Sequence, residues 1–405
     1  MKTSSKSCDR LTFSPTRHET AVPESCGSAL TNGGSVSTLS CQEAAVEPPS
    51  EFRHIPSDLR SPALTAERPQ FLRPTLDEVA ELAGVSRATA SRAINGSSRV
   101  SSKARDAVQG AVATLAYAPN RAARSLVTRR TDTIALVVSE SESRVFSDPF
   151  FHAIVHGVAV ALADTELQLL LLLAQGRREH TKVERYLRAG HVDGAILLSL
   201  HGADPLPRAV VAAGIPTVLL GRPRPGEELV WVDADNHGGG KAATELLLSQ
   251  GRRKIAAITG PLDMTAAEDR VEGYADALRA AGLPVRKGLV AGGDFTVVGG
   301  RRAMAGILRR HPDLDAVFAS SDLMGIGALQ ALADADRRVP DDVAVVGFDD
   351  LGDAAHTRPP LTTIRQPLAD MTASLVELLL RQVDGTGGDD GHVVCPTTVV
   401  RRASA

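Results

Sequence analysis

The stretch Asp77–Gly96, DEVAELAGVSRATASRAING, places Arg87, Ala88, Ser91 and Arg92 on one side of a short helical segment. Ala90, Ala93 and Ile94 fall on the other side and would face inward. A guanidinium fork on such a face can hydrogen-bond both acceptors of a guanine edge, and a small residue beside it leaves room for a thymine methyl. This is the chemistry of reading DNA, not of making or breaking bonds. Spacings that could carry catalysis fail one by one. Gly238-Gly239-Gly240-Lys241 hints at a phosphate loop, but that loop needs Gly at 235 and Ser or Thr at 242, where Asp235 and Ala242 stand. No G-x-S-x-G elbow and no H-E-x-x-H occurs. The cysteines, Cys8, Cys26, Cys41 and Cys395, make no C-x-x-C, so neither a zinc site nor a disulfide framework is expected. We therefore expect no enzyme, no cofactor and no metal.

The reading face needs elements to hold it. Thr75 and Glu78 fit a capping box that starts a first helix at Leu76, with Val79, Leu82 and Ala83 as its apolar stripe. Gly84 permits the left-handed backbone that ends it, Val85 plugs the turn and Ser86 caps the second helix. Ser101 caps a third helix with Ala104, Val108, Ala111, Val112 and Leu115 inward. Three short helices around a small core, the second presenting arginines, make a helix-turn-helix. The competing account is a helical hairpin whose arginines only keep it soluble. Charge distribution favours DNA: between Phe71 and Thr131 ten Lys and Arg face four Asp and Glu, about +6, leaving about −9 on the rest of a chain of net charge −3.

From Thr133 onward the texture changes. Apolar runs at 134–138, 169–174, 195–199, 217–220, 255–259, 316–320 and 343–348 alternate with amphipathic patterns at 236–250, 266–281, 322–333 and 367–383. This predicts an α/β body with parallel sheets, and about 270 residues fit two subdomains better than one. The run Leu169–Ala174 reads as a buried strand, too short to cross a membrane. Residues 1–70, rich in Ser, Thr, Pro and Glu, read as a disordered extension. The N-terminus lacks the apolar core of a signal peptide, so a cytoplasmic protein is expected.

The segment from Thr75 to Leu126, TLDEVAELAGVSRATASRAINGSSRV through PNRAARSL, resembles the headpiece of the lactose-repressor/galactose-repressor family. The similarity continues through SDPFFHAIVHGV, VDGAILLS, GIPTVLLGRP, VDADNHGGGKAATELL, EDRVEGYADAL, SSDLMGIGALQAL, VPDDVAVVGFDD and PPLTTIRQP. It implies a helix-turn-helix domain over 74–116, a hinge helix and linker over 117–131, and a periplasmic-binding-protein-like body over 132–405. The two subdomains would be roughly 132–234 plus 350–382, and 235–349 plus 383–405. By resemblance, Arg87, Ala88 and Arg92 read bases, while Thr75, Ser86, Thr89, Ser91 and Asn95 hold phosphates or cap helices. Leu126 would wedge into a minor-groove step, with Arg121, Arg124, Arg129 and Arg130 near phosphates. In the body the resemblance implies a small-molecule effector, a sugar or related metabolite, held by Arg270 and Asp322. Phe150, Phe151 and Phe295 would pack on it, with Asp349 and Asp350 at the rim. Met264 and Ala266 stand where polar side chains often contact ligand, which leaves the ligand class open. The implied protein is a transcriptional regulator, most simply a repressor. It would act as a homodimer, or as a tetramer, on a pseudo-palindromic operator. A sugar-binding transport protein without a DNA role is the alternative, and it would lack the headpiece.

Overall fold

The computed structural model describes residues 74–118, 130–387 and 391–405. The hinge residues Arg121, Arg124, Leu126 and Arg129, and the extension over 1–70, lie outside them.

The headpiece is three helices, α1 (Leu76–Leu82), α2 (Arg87–Ile94) and α3 (Ser102–Leu115). Thr75 and Glu78 form the reciprocal capping box, Gly84 takes φ +62° in the turn, and Ser86 and Ser101 cap α2 and α3. The core is Val79, Ala80, Ala90, Ala93, Val100, Val108 and Ala111, with Val85, Ile94, Ala104, Val112 and Leu115 packed on it. Leu82 departs from expectation: it is 54% exposed. At about 100° per residue it lies about 200° from Ala80, so the stripe centred on Val79, Ala80 and Ala83 turns it outward.

The body begins with β1 (Thr133–Val138), α4 (Glu142–Ser147), α5 (Pro149–Ala161), β2 (Gln168–Leu173), α6 (Gly176–Arg188), β3 (Gly194–Leu198), α7 (Leu206–Ala212), β4 (Thr217–Leu220) and β5 (Val230–Ala234). It continues with α8 (Asn236–Ser249), β6 (Ile255–Thr259), α9 (Thr265–Ala280), β7 (Val290–Gly292), α10 (Val297–Arg310), β8 (Ala316–Ala319), α11 (Asp322–Asp334), β9 (Ala344–Val346), β10 (Thr363–Arg365), α12 (Leu368–Val383), β11 (His392–Cys395) and β12 (Thr398–Val400). One lobe is a six-stranded parallel sheet ordered β11-β5-β4-β3-β1-β2. The other is a four-stranded parallel sheet ordered β7-β6-β8-β9, accompanied by the antiparallel ribbon β10-β12. Helices cover both faces of each sheet, which is why the strands read as near-continuous apolar runs.

Two expectations shift. The chain crosses between lobes near 235, 366 and 396, not at 350 and 383. Leu361 and Ile364 pack into the second lobe's cores, whereas β11 pairs with β5 of the first lobe. Residues 350–365 thus go with the second lobe and 383–395 with the first. The leucine run of β2 is half-buried rather than buried, because β2 is the edge of its sheet.

The glycines of GGGK are packing surfaces of α8. A Cβ on Gly240 would stand 2.1 Å from the Arg270 carbonyl oxygen, and one on Gly273 of α9 2.1 Å from the His237 carbonyl oxygen. The two helices therefore touch backbone to backbone, and this close approach sets where Arg270 begins. Gly240→Ala should cost about 1–3 kcal/mol through overpacking. Gly110→Ala, in open space on α3, should be neutral or stabilising by up to about 1 kcal/mol. Thermal unfolding of the two variants checks this; equal melting shifts would refute the close-packing account.

Candidate DNA-reading face and ligand cleft

On α2, Arg87, Ala88, Arg92 and Asn95 are exposed and Ser91 is half-buried, forming one stripe opposite buried Ala90 and Ala93. The helix is seated by its cap: the Ser86 hydroxyl accepts from the Thr89 amide and pairs with the Thr89 hydroxyl at 2.9 Å. Thr75 is likewise engaged by Glu78. Asn95 is the C-cap residue of α2. Arg87 lies 3.4 Å from Asp77 of α1, an exposed pair that DNA can displace at little cost. Arg105 donates to the Ser97 and Val100 carbonyls and closes the turn between α2 and α3, a role sequence reading missed. Arg130, expected near phosphates, donates to Asp384 of the body at 2.6 Å.

In the body, the carboxyl ends of both sheets face a cleft, as expected for open α/β sheets. Two adjoining compartments share Phe150, Ser199, Met264, Ala266, Arg270 and Gln366 as a common wall. Arg270 is the centre. Its Nε donates to Asn236 Oδ1 at 2.8 Å and its Nη1 to the Ser320 carbonyl at 2.7 Å, with Asp349 at 3.5 Å. Its guanidinium lies 3.7 Å above the Phe348 ring. Asp322 is buried and accepts from the Thr363 hydroxyl at 2.5 Å and the Leu351 amide at 3.0 Å. The cap of α11 is Ser321, not Asp322. Asp322 is thus a pocket residue that makes no ion pair with Arg270 in the structure; the arginine's carboxylate neighbour is Asp349. Phe150 is half-buried at the shared wall, and Phe151 and Phe295 are core residues that show an edge to the second compartment. Asp350 does not line the cleft: it pairs with Arg365 and Arg402.

Three non-glycine residues of the cleft lining have positive φ, namely Ser199, Phe295 and Asp349. Such backbone persists where the surroundings over-determine it, which is characteristic of functional sites. Sequence reading missed Glu140, Arg144, His201, Asp233, Asn236 and Gln366. All but Arg144 shared one signal, position: Glu140, His201, Asp233, Asn236 and Gln366 lie at or just past the carboxyl end of a strand.

The lobes meet across the mouth of the first compartment. The Gly202 amide donates to the Asp263 carbonyl at 2.8 Å, and Arg222 pairs with Asp269. Thr265 donates to the Arg222 carbonyl at 2.7 Å, and Arg224 to the carbonyls of Gly202 and Asp263. His201 bridges Glu140 of one lobe and Asp263 of the other, 3.1 Å from each. The cleft is therefore closed.

Residues 75–120 match the model described as bacterial regulatory proteins, lacI family, and residues 244–405 match the periplasmic binding protein-like domain. The transcriptional regulator CelR of Thermobifida fusca is 49% identical over 82% of this chain and 98% of its own length. The regulator GalR of Escherichia coli (strain K12) is 35% identical over 82% of this chain and 95% of its own.

The chain belongs to the LacI family of bacterial transcriptional regulators.

Among solved structures, a CelR–cellobiose complex superposes with TM-score 0.67 at 47% identity, covering 82% of this chain and all of that one. The lac repressor dimer bound to operator and the anti-inducer ONPF gives 0.74 at 27%, covering 82% and 98%. The α/β architecture with a helix-turn-helix headpiece is thus the family's. Among the described residues no helix is long and apolar enough to cross a membrane.

The cleft also carries a pH signature. Burial pushes the Asp233 and Asp349 carboxyls up to about 6, against the Arg222 amide and Arg270 respectively. Hydrogen bonding to Glu140 raises His201 over the opposing effect of burial. These groups hold protons more tightly folded than unfolded. They stabilise fully below their unfolded values, and that contribution is lost as pH rises through the folded ones. Burial would raise Glu140, but His201, Arg144 and Ser199 together hold it low, so its contribution is lost only in stronger acid. The melting temperature should therefore fall as pH is raised from about 4 to about 6, where Asp233 and Asp349 lose their protons, and fall further above about 6.5 as His201 loses its own. Asp349→Asn should flatten the profile between about 4 and 6, where a displacement from 3.8 to about 6 corresponds to at most roughly 3 kcal/mol. An unchanged profile in that variant would contradict the assignment.

Proposed function

We propose that this protein is a repressor that binds a pseudo-palindromic operator as a homodimer and is controlled by an uncharged disaccharide in the cleft. Two copies of α2 would enter successive major grooves, with Arg87 and Arg92 bonding guanines and Ala88 against a thymine methyl. Thr75, Ser86, Thr89, Ser91 and Asn95 would sit at the phosphates, and Leu126 would wedge the minor groove between the half-sites. The homodimer accords with the dimeric lac repressor structure, and no enzymatic step is invoked.

One observation carries the effector class: the cleft has two compartments and no surplus of positive charge. The second is lined by Arg144 and Arg270 against Asp148, Asp322, Asp349 and Asp353. The first has Arg222, Arg224 and Arg270 against Asp204, Glu227, Asp233 and Asp263. A phosphorylated or acidic sugar would meet these carboxylates with no free cation in excess. A neutral polyol both donates and accepts, so it satisfies Arg270, which only donates, and ionised Asp, which only accepts. Two compartments joined at a common wall suit two rings. The likeness to the CelR–cellobiose complex supports the same class.

The test begins by selecting operator sequences from random duplex DNA with the full-length chain. Arg92→Ala should cost about 1–3 kcal/mol on the selected operator and relax one base position. Arg99→Ala, off the α2 stripe, should weaken selected and random DNA alike. Calorimetry should show cellobiose binding at least tenfold tighter than a phosphorylated disaccharide. Preference for the phosphorylated sugar, or equal losses on both DNAs for Arg92→Ala, would contradict the proposal.

A further inference from the structure

We propose that Arg144, on the short helix α4, is a specificity-determining residue: it donates from Nε to a hydroxyl of the effector and reports lobe closure through Phe295. The inference rests on the neutral-sugar reading above and extends it to a residue outside the arginine–aspartate constellation. Arg144 lines the second compartment beside Arg270 and Asp322. Its Nη1 is held by Glu140, which also accepts from Ser199, so the guanidinium is fixed at one end. Its Nε is buried and has no hydrogen-bond partner, with Asp148 Oδ2 4.0 Å away. A buried donor left unsatisfied costs free energy that a matching acceptor recovers, and a sugar hydroxyl supplies one.

The Arg144 guanidinium lies 5.7 Å from the Phe151 ring centre and 5.3 Å from that of Phe295. Phe151 belongs to the core of the first lobe and Phe295 to that of the second. Both distances fall within cation–π range. Opening the cleft would withdraw Phe295 while Glu140 and Phe151 move with Arg144. The Phe295 contact therefore exists only in the closed form, and a ligand that completes the Nε bond stabilises the form in which the stack is made.

Calorimetric titration of the full-length chain with cellobiose and a series of its monodeoxy analogues tests this. Arg144→Ala and Arg144→Lys should each weaken cellobiose at least tenfold, because lysine keeps the charge but not the Nε donor. One analogue in the series should bind wild type and Arg144→Lys equally, identifying the hydroxyl that Nε meets. Phe295→Leu should weaken all sugars by one common factor, since it removes the stack and not the donor. If Arg144→Ala does not fold, Arg144→Lys with the analogue series decides alone. Wild-type affinity in Arg144→Lys, or a series in which every analogue loses equally in wild type and variant, overturns the assignment. Failure of wild type to bind cellobiose or any neutral disaccharide overturns the underlying neutral-sugar reading, and this inference with it. Normal wild-type binding beside an indifferent Arg144 overturns this inference alone.

Discussion

A guanidinium buried at the junction of two lobes constrains everything around it. Arg270 is only 6% exposed, so its charge must be answered by the protein. The answer comes from the start of α8, the end of β8 and the turn after β9, through Asn236, the Ser320 carbonyl and Asp349. These partners are themselves fixed. Asn236 donates to Asp233 at the end of β5, and Gln366 donates to Asp349. The network Asp233–Asn236–Arg270–Asp349–Gln366 therefore lies along two of the three places where the chain passes between lobes. A ligand that touches Arg270 touches the hinge.

That placement gives the switch a physical form. The closed arrangement is held on one side by Arg222–Asp269 and His201–Asp263, and on the other by the stack of Arg144 on Phe295. Exposed or half-exposed ion pairs contribute little each. A small-molecule ligand moves an equilibrium only by as much as it prefers one state. The cleft supplies that preference, because its polar groups come from both lobes and converge only when the lobes meet.

Much of this was legible in the sequence, for particular reasons. The headpiece could be read because caps, turn glycine and apolar spacing agree within forty residues, all local features. The long buried strands could be read because both sheet faces are covered. Strands β5 and β11 could not: VWVDA carries a polar residue where the site begins, and HVVC is fixed only by pairing with a strand far away in sequence. Leu82 misled because a seven-residue helix leaves the centre of its stripe ambiguous. Arg270, Asp322 and Asp349 were found through family likeness, and they do converge on the cleft, whereas Asp350 turned to Arg365 and Arg402. Arg144 and Glu140 escaped notice because α4 is six residues long and carries no readable period. Their importance follows from what the fold brings beside them.

Linkage makes any coupling between cleft and headpiece measurable from both ends. The most direct measurement is the operator dissociation constant of the full-length protein, by fluorescence anisotropy, with and without saturating cellobiose. It is paired with the cellobiose dissociation constant, with and without saturating operator. The account predicts a change of about 5- to 150-fold in each, and the same factor in both directions, as reciprocity requires. Cellobiose that binds the cleft yet leaves operator affinity unchanged would contradict it.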